Sequence, residues 1–192
     1  MERLHPHQLL TYLFLTGIFL VFAVLLLAFA GAQLYTIKEV GARLPVPFYS
    51  STALLGLSSL CMWLAGRAQR HERYRALTAW LGCTLLLGVL FFALQLIAWN
   101  DLHLQGIYLN GAAAGSYLYV ISGLHLLHVL AGLAFVLVVL APASKAAIDP
   151  VSALVYSTDK YRQLQLRLLC TYWHFLGGVW AVMFLFFWLL LE

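Results

Sequence analysis

Residues 115–141 read GSYLYVISGLHLLHVLAGLAFVLVVLA, 27 residues without one Asp, Glu, Lys or Arg. A helix needs roughly 20 mostly apolar residues to cross the hydrocarbon layer of a bilayer. This stretch exceeds that length, and four more like it occupy most of the chain. They cover residues 10–32, 46–66, 76–99 and 168–191. Each is continuous, whereas the strands of a membrane barrel would alternate over about ten residues. With every backbone group satisfied inside its own segment, the fold expected is an all-α integral membrane bundle of five helices. The 192 residues are then a single membrane domain with no room for a soluble one.

Composition agrees with that reading. Hydrophobic residues make up 64% of the chain and charged residues 9%, against about 45–50% and about 25% in an ordinary soluble domain. This excludes a soluble enzyme, a disordered tail and a disulfide-framed secreted domain. The 11 basic residues against 7 acidic ones are too mild an excess for a nucleic-acid binder, and their placement explains them. All lie outside the five stretches. Arg3, the cluster Arg67, Arg70, Arg73 and Arg75, and the group Lys145, Lys160, Arg162 and Arg167 fall on one side; Lys38 and Arg43 fall on the other. The positive-inside rule predicts a cytoplasmic N-terminus and a periplasmic C-terminus. The first span is longer than a signal-peptide core of about 7–15 residues, so it is expected to be retained. Cys61, Cys83 and Cys170 form no C-x-x-C pair and read as small apolar packing residues. Asp149-Pro150, inside the longest polar segment, marks a turn or a helix start.

Within the spans, helical spacing gathers small and polar residues into stripes. Ser122, His125, His128 and Gly132 share one, and Cys170, His174, Gly178 and Ala181 another. Thr52, Gly56, Ser59, Trp63 and Gly66 make a third, and Thr84, Gly88, Gln95 and Trp99 a fourth. Such faces suit helix contacts, so they are expected to point into the bundle or at another subunit. At about 1.5 Å per residue, His128 lies roughly 20 Å below residue 115 and His174 roughly 9 Å past residue 168. That places the two at similar depth, able to share a hydrogen-bond network or to ligate one haem as a cytochrome b anchor. No carboxylate lies in a span, which disfavours a proton or ion transporter. No nucleophile–base pair, phosphate loop or H-E-x-x-H is present. On its residues alone the chain is a non-enzymatic membrane subunit with an internal polar network.

Two segments carry a family resemblance. SYLYVISGLHLLHVLAG at 116–132 and CTYWHFLGGVW at 170–180 resemble the last two helices of subunit III of the haem-copper oxidases. PVPF at 45–48 with LSSL at 57–60, and LQLIAW at 94–99 with QGIY at 105–108, resemble the helices before them. The likeness runs from about residue 10 to residue 188 and fits the short five-helix bacterial form.

The resemblance implies a bacterial inner-membrane oxidase that reduces oxygen to water and pumps protons, with cytochrome c or quinol as electron donor. This chain binds no haem or copper of its own; those belong to partner subunits. It packs directly on subunit I, stands beside subunit II and a small subunit IV, binds structural phospholipid, and enters a respiratory supercomplex in some systems. A nitric-oxide-reductase-associated relative is the alternative within the family. The carried-over positions are His125, His128, His174, Tyr172, Trp173 and Trp180, expected to form a polar network. Tyr172 and Trp173 suit lipid contact as well, and His5 and His7 suit a proton antenna. In two places the family pattern is broken. Thr16-Gly17 stands where the family has Ser-Glu, and Gly177 follows Leu176 where the family has Asp.

Overall fold

The computed structural model describes residues 6–36, 44–111 and 113–191. It holds six helices: α1 (Pro6–Thr36), α2 (Val46–Arg70), α3 (Tyr74–Leu104), α4 (Ala113–Ile148), α5 (Pro150–Thr158) and α6 (Lys160–Leu191). Five of them, all but α5, are long and apolar enough to cross a membrane. No strand occurs among the described residues. Every expected span lies inside its helix, and the helices run further. α4 continues through Pro142 to Ile148, and α6 begins at Lys160, eight residues before the apolar stretch. Polar ends extend a helix into the headgroup layer without changing its apolar middle.

The ends are fixed by local chemistry. α2 closes with Arg73 N donating to Ala68 O (2.9 Å) and Glu72 N to Gln69 O (3.0 Å), the paired bonds of a Schellman cap. The residue that takes the left-handed conformation there is Glu72, at φ 54°, where glycine is usual. α3 ends the same way. Ile107 N reaches Leu102 O and Gly106 N reaches His103 O, both at 3.0 Å, with Gly106 at φ 80°. Asp149 caps α5, accepting from Val151 N and Ser152 N, and Pro150 stands at the first helical position. The sequence left a turn or a helix start open here, and the structure shows the helix start. The Ser152 hydroxyl and the two amides hold the Asp149 carboxyl below its ordinary pKa. Asp159 caps α6 through Tyr161 N (2.9 Å) and pairs with Arg162 at 3.1 Å.

The chain falls into two compact units. The first holds α1, α2 through Thr52, Ala93–Leu127 and the end of α6 from Gly178. Its core is aromatic. Phe48 stacks on Trp180 at 5.9 Å, and Phe187 sets its edge against Phe48 (6.2 Å) and Phe29 (5.5 Å). The second holds Ala53–Phe92 and His128–Gly177, including α5. Met62, Leu77, Leu81, Val136, Leu169 and Trp173 are buried there.

Candidate functional site: the polar positions of the bundle

Of the Ser and Thr hydroxyls of α2, beside Ser50, which bonds Pro47 O in its own helix, four fall in two pairs, Ser51-Thr52 and Ser58-Ser59, seven residues apart. Seven residues are close to two helical turns, so the pairs lie along one side of the helix. Each of the four meets a side chain from another helix. In the first unit, Gln95 Nε2 donates to Ser51 Oγ (2.8 Å) and Trp180 Nε1 to Thr52 Oγ1 (2.9 Å). In the second, Trp173 Nε1 donates to Ser58 Oγ (3.1 Å), and Ser59 Oγ lies 3.0 Å from His174 Nδ1. Ser51, Thr52 and Ser58 also donate back to carbonyls of the preceding turn, so each hydroxyl serves as donor and acceptor at once.

The expected residues therefore occupy separate places. His125 is fully buried in the first unit. Its ring lies 5.0 Å from Trp180 and 6.1 Å from Phe22. His128 belongs to the second unit, where its backbone carbonyl accepts from Tyr172 Oη (2.8 Å). His174 is bound to Ser59 yet sits on an exposed part of α6. Tyr172 and Trp173 are 7% and 2% exposed, which leaves little surface for a lipid. Trp173 is also held between glycines. A Cβ at Gly132 would meet Trp173 and Tyr172 ring carbons at 3.1 Å, and one at Gly88 would meet Trp173 at 3.1 Å and Leu133 at 2.7 Å. His5 lies outside the described residues, and of His7 only its place in α1 is described.

Sequence reasoning missed Ser51, Ser58 and Gln95 as bonding partners of the network. The signal available was the repeat of adjacent hydroxyls at seven-residue spacing in an otherwise apolar span. The stripes divide. Thr84, Gly88 and Gln95 of α3 are buried, as are Ser122, His125 and Gly132 of α4. On α2 the buried line is Ser51, Leu55, Ser58, Met62 and Ala65, while Gly56 and Trp63 are exposed. On α6, His174, Gly178 and Ala181 are exposed. Gly177 stands where a Cβ would come 3.3 Å from Ser59 Oγ; a longer side chain there would press on the hydroxyl that holds His174. Near Gly123 a further pair forms, with Trp99 Nε1 donating to Ser122 Oγ at 2.9 Å. No group of three or more His, Cys, Asp or Glu side chains among the described residues could hold a metal ion.

No protein-family model matches the chain. Curated proteins do. Cytochrome c oxidase subunit 3 of Bacillus sp. (strain PS3) is 29% identical over 142 residues, 74% of this chain and 63% of that protein. Cytochrome c oxidase subunit 3 of Corynebacterium diphtheriae is 29% identical over 150 residues, 77% and 68% of the two chains. Cytochrome bo(3) ubiquinol oxidase subunit 3 of Pseudomonas aeruginosa is 30% identical over 135 residues, 69% and 59% of the two.

This chain is a homologue of oxidase subunit 3.

Five helices long and apolar enough to cross a membrane make it a multi-pass membrane protein, similar over most of its length to subunits of respiratory oxidases. The match spans less than two thirds of the Bacillus and Pseudomonas proteins' own length.

Proposed function

We propose that this chain is the non-catalytic subunit III of a proton-pumping haem-copper terminal oxidase. It lies in a bacterial inner membrane with its N-terminus in the cytoplasm and its C-terminus in the periplasm. It stabilises the complex by packing on subunit I, beside subunit II and a small subunit IV, and it binds structural phospholipid. The relation to oxidase subunit 3 carries this reading.

One feature of the second unit supports the packing role. The Ser59–His174 pair is a polar contact on an exposed surface of membrane-spanning helices. Histidine in a span is costly against lipid and faces protein or water in most membrane proteins. Gly56, one turn from Ser59, is exposed and has nothing within 4 Å of a Cβ position, so a partner helix can approach closely there. This face is where subunit I docks. His125, His128, Tyr172, Trp173 and Trp180 act internally, fixing α6 to its neighbours within each unit. Haem and copper stay with the partner subunits.

The test is a pull-down of the tagged chain from its native membrane, read by redox difference spectra and copper analysis. Haem and copper in the recovered complex, with neither in the isolated chain, is the expected result. Ser59→Leu with His174→Leu should reduce the haem recovered per chain. A b-type haem band that stays with the isolated chain and disappears on His128→Ala overturns the reading in favour of a cytochrome b anchor.

A further inference from the structure

Along the α2–α3 hairpin of the second unit runs an open groove of about 360 Å³. Leu64 and Ala68 line it from α2, and Ala76 and Trp80 from α3. Residues three or four apart share one face of a helix. Cys61 stands three residues before Leu64, and Cys83 three residues after Trp80. The helices run antiparallel across the turn at 71–73, so both steps lead in the same direction, deeper into the membrane-spanning part. They end level with each other. Each cysteine lies nine residues from its helix end at the turn, Arg70 or Tyr74, which is about 14 Å. The two thiols are near enough to interact electrostatically. Helices in contact have axes about 8–10 Å apart, with Cα atoms about 2.3 Å from each axis. Residues facing across such a groove then have Cα atoms about 4–7 Å apart, the range that a disulfide bridges. Both thiols are free, Cys83 exposed and Cys61 half-buried.

We propose that Cys61 and Cys83 are a reversible disulfide-forming pair, oxidised by an uncharged hydroperoxide. Their depth excludes charged, water-bound oxidants, whereas a hydroperoxide enters the apolar layer. The exposed thiol reacts first and the half-buried one resolves it, the usual arrangement of an oxidation-sensitive pair. The sulfur of Cys83 attacks one peroxide oxygen. The O–O bond breaks, and the departing oxygen takes the thiol proton, leaving a sulfenic acid and one water or alcohol. The sulfur of Cys61 then attacks that of Cys83. The S–O bond breaks, and hydroxide leaves as water with the Cys61 proton. Two thiols give up two electrons and the peroxide gains them; a dithiol reductant restores both thiols. The third cysteine stands apart from this groove. Cys170 Sγ lies 3.8 Å from Met62 O and beside Gly66, where α2 meets α6. The bond would tie α2 to α3 next to Ser58, which holds Trp173. It needs only the hairpin and a peroxide, and so does not depend on the proposed function.

The test treats the full chain in its native membrane with cumene hydroperoxide, blocks remaining thiols with N-ethylmaleimide, and digests it for mass spectrometry. The expected product is a pair of peptides joined through Cys61 and Cys83, two hydrogens lighter than the free thiols and separated again by dithiothreitol. Cys170 should carry the maleimide. In Cys61→Ser the oxidation should stop at the Cys83 sulfenic acid, and its capture by dimedone should rise severalfold over wild type. The oxidised wild-type chain should unfold at a higher SDS concentration than the reduced one, a shift that Cys83→Ser abolishes. Cys61 and Cys83 both recovered as maleimide adducts after hours of treatment overturn the proposal. So does a link from either cysteine to Cys170 or to a second chain, or Cys83 carried to the sulfinic acid with Cys61 still free. The wild-type digest decides this even if a variant fails to fold. Haem recovered in the pull-down reports oxidase membership whichever way the thiol result falls.

Discussion

Replacing Ser58 by alanine should destabilise the second unit through Trp173 and not through the serine itself. Ser58 is fully buried and Trp173 is 2% exposed, with the indole Nε1 3.1 Å from the hydroxyl. Removing the hydroxyl leaves an indole N–H with neither water nor acceptor. In a water-soluble protein such an orphan costs about 1–3 kcal/mol. In a bilayer the unfolded chain also finds partners, and measured side-chain couplings average about 0.6 kcal/mol with a maximum near 1.7. The expected loss for Ser58→Ala is therefore about 1 kcal/mol. Trp173→Phe removes the donor and part of a ring wedged between Gly88 and Gly132, leaving a void worth about 1–3 kcal/mol. Once the indole is gone, Ser58 retains only its 2.8 Å bond to Leu55 O within its own helix. Ser58→Ala in the Trp173→Phe background should then cost well under 0.5 kcal/mol. The four proteins form a double-mutant cycle with a coupling of about 1 kcal/mol. The assay is reversible unfolding in mixed micelles by SDS titration, followed by far-ultraviolet circular dichroism. Losses that add to within about 0.3 kcal/mol refute the reasoning, because the indole and the hydroxyl would then be independent.

Gly132→Ala should cost about 1–3 kcal/mol in the same assay, since a methyl would meet ring carbons of Tyr172 and Trp173 at 3.1 Å and both rings are held by hydrogen bonds. Gly56→Leu should leave the isolated chain within about 0.5 kcal/mol of wild type yet lower the haem that co-purifies; unchanged recovery would remove this face from the docking surface. Glu72→Gly should stabilise by on the order of 1 kcal/mol, because Glu72 occupies φ 54° at the cap of α2, and an unchanged or lower unfolding midpoint would count against the strain. Asp149 has a folded pKa below its ordinary 3.8. Its cap on α5 is fully present above that ordinary value and is lost as pH falls through the lower folded one. Rate-corrected hydrogen exchange at the Val151 and Ser152 amides should therefore open only below about pH 4, and Asp149→Ala should open them at neutral pH.

The number and order of the spans were determined by the sequence alone. A run such as 115–141, without a charge for 27 residues, has no soluble alternative, and helix is the one local structure that satisfies its backbone in lipid. Asp149-Pro150 likewise marked a turn or a helix start, because an acceptor side chain before a proline is a local arrangement. The YWHF segment at 172–175 pointed to the right relatives before any geometry was known.

Which face of each helix is buried was decided only by the tertiary structure. In a bilayer the lipid-facing side and the core-facing side are both apolar, so hydrophobic periodicity, which orients a soluble helix, carries little orientation here. On α2 the stripe of Thr52, Gly56, Ser59 and Trp63 and the line of Ser51, Leu55, Ser58 and Met62 differ by one residue of phase. Both contain hydroxyls, and only packing shows that the second is the buried one. The same holds for partners. Nothing in the chain's order says that Trp173 finds Ser58 while His174 finds Ser59 on an exposed face. Those pairings follow from the register between two helices more than 100 residues apart in sequence, and the Trp173 ring takes its place because Gly88 of α3 and Gly132 of α4 leave room for it.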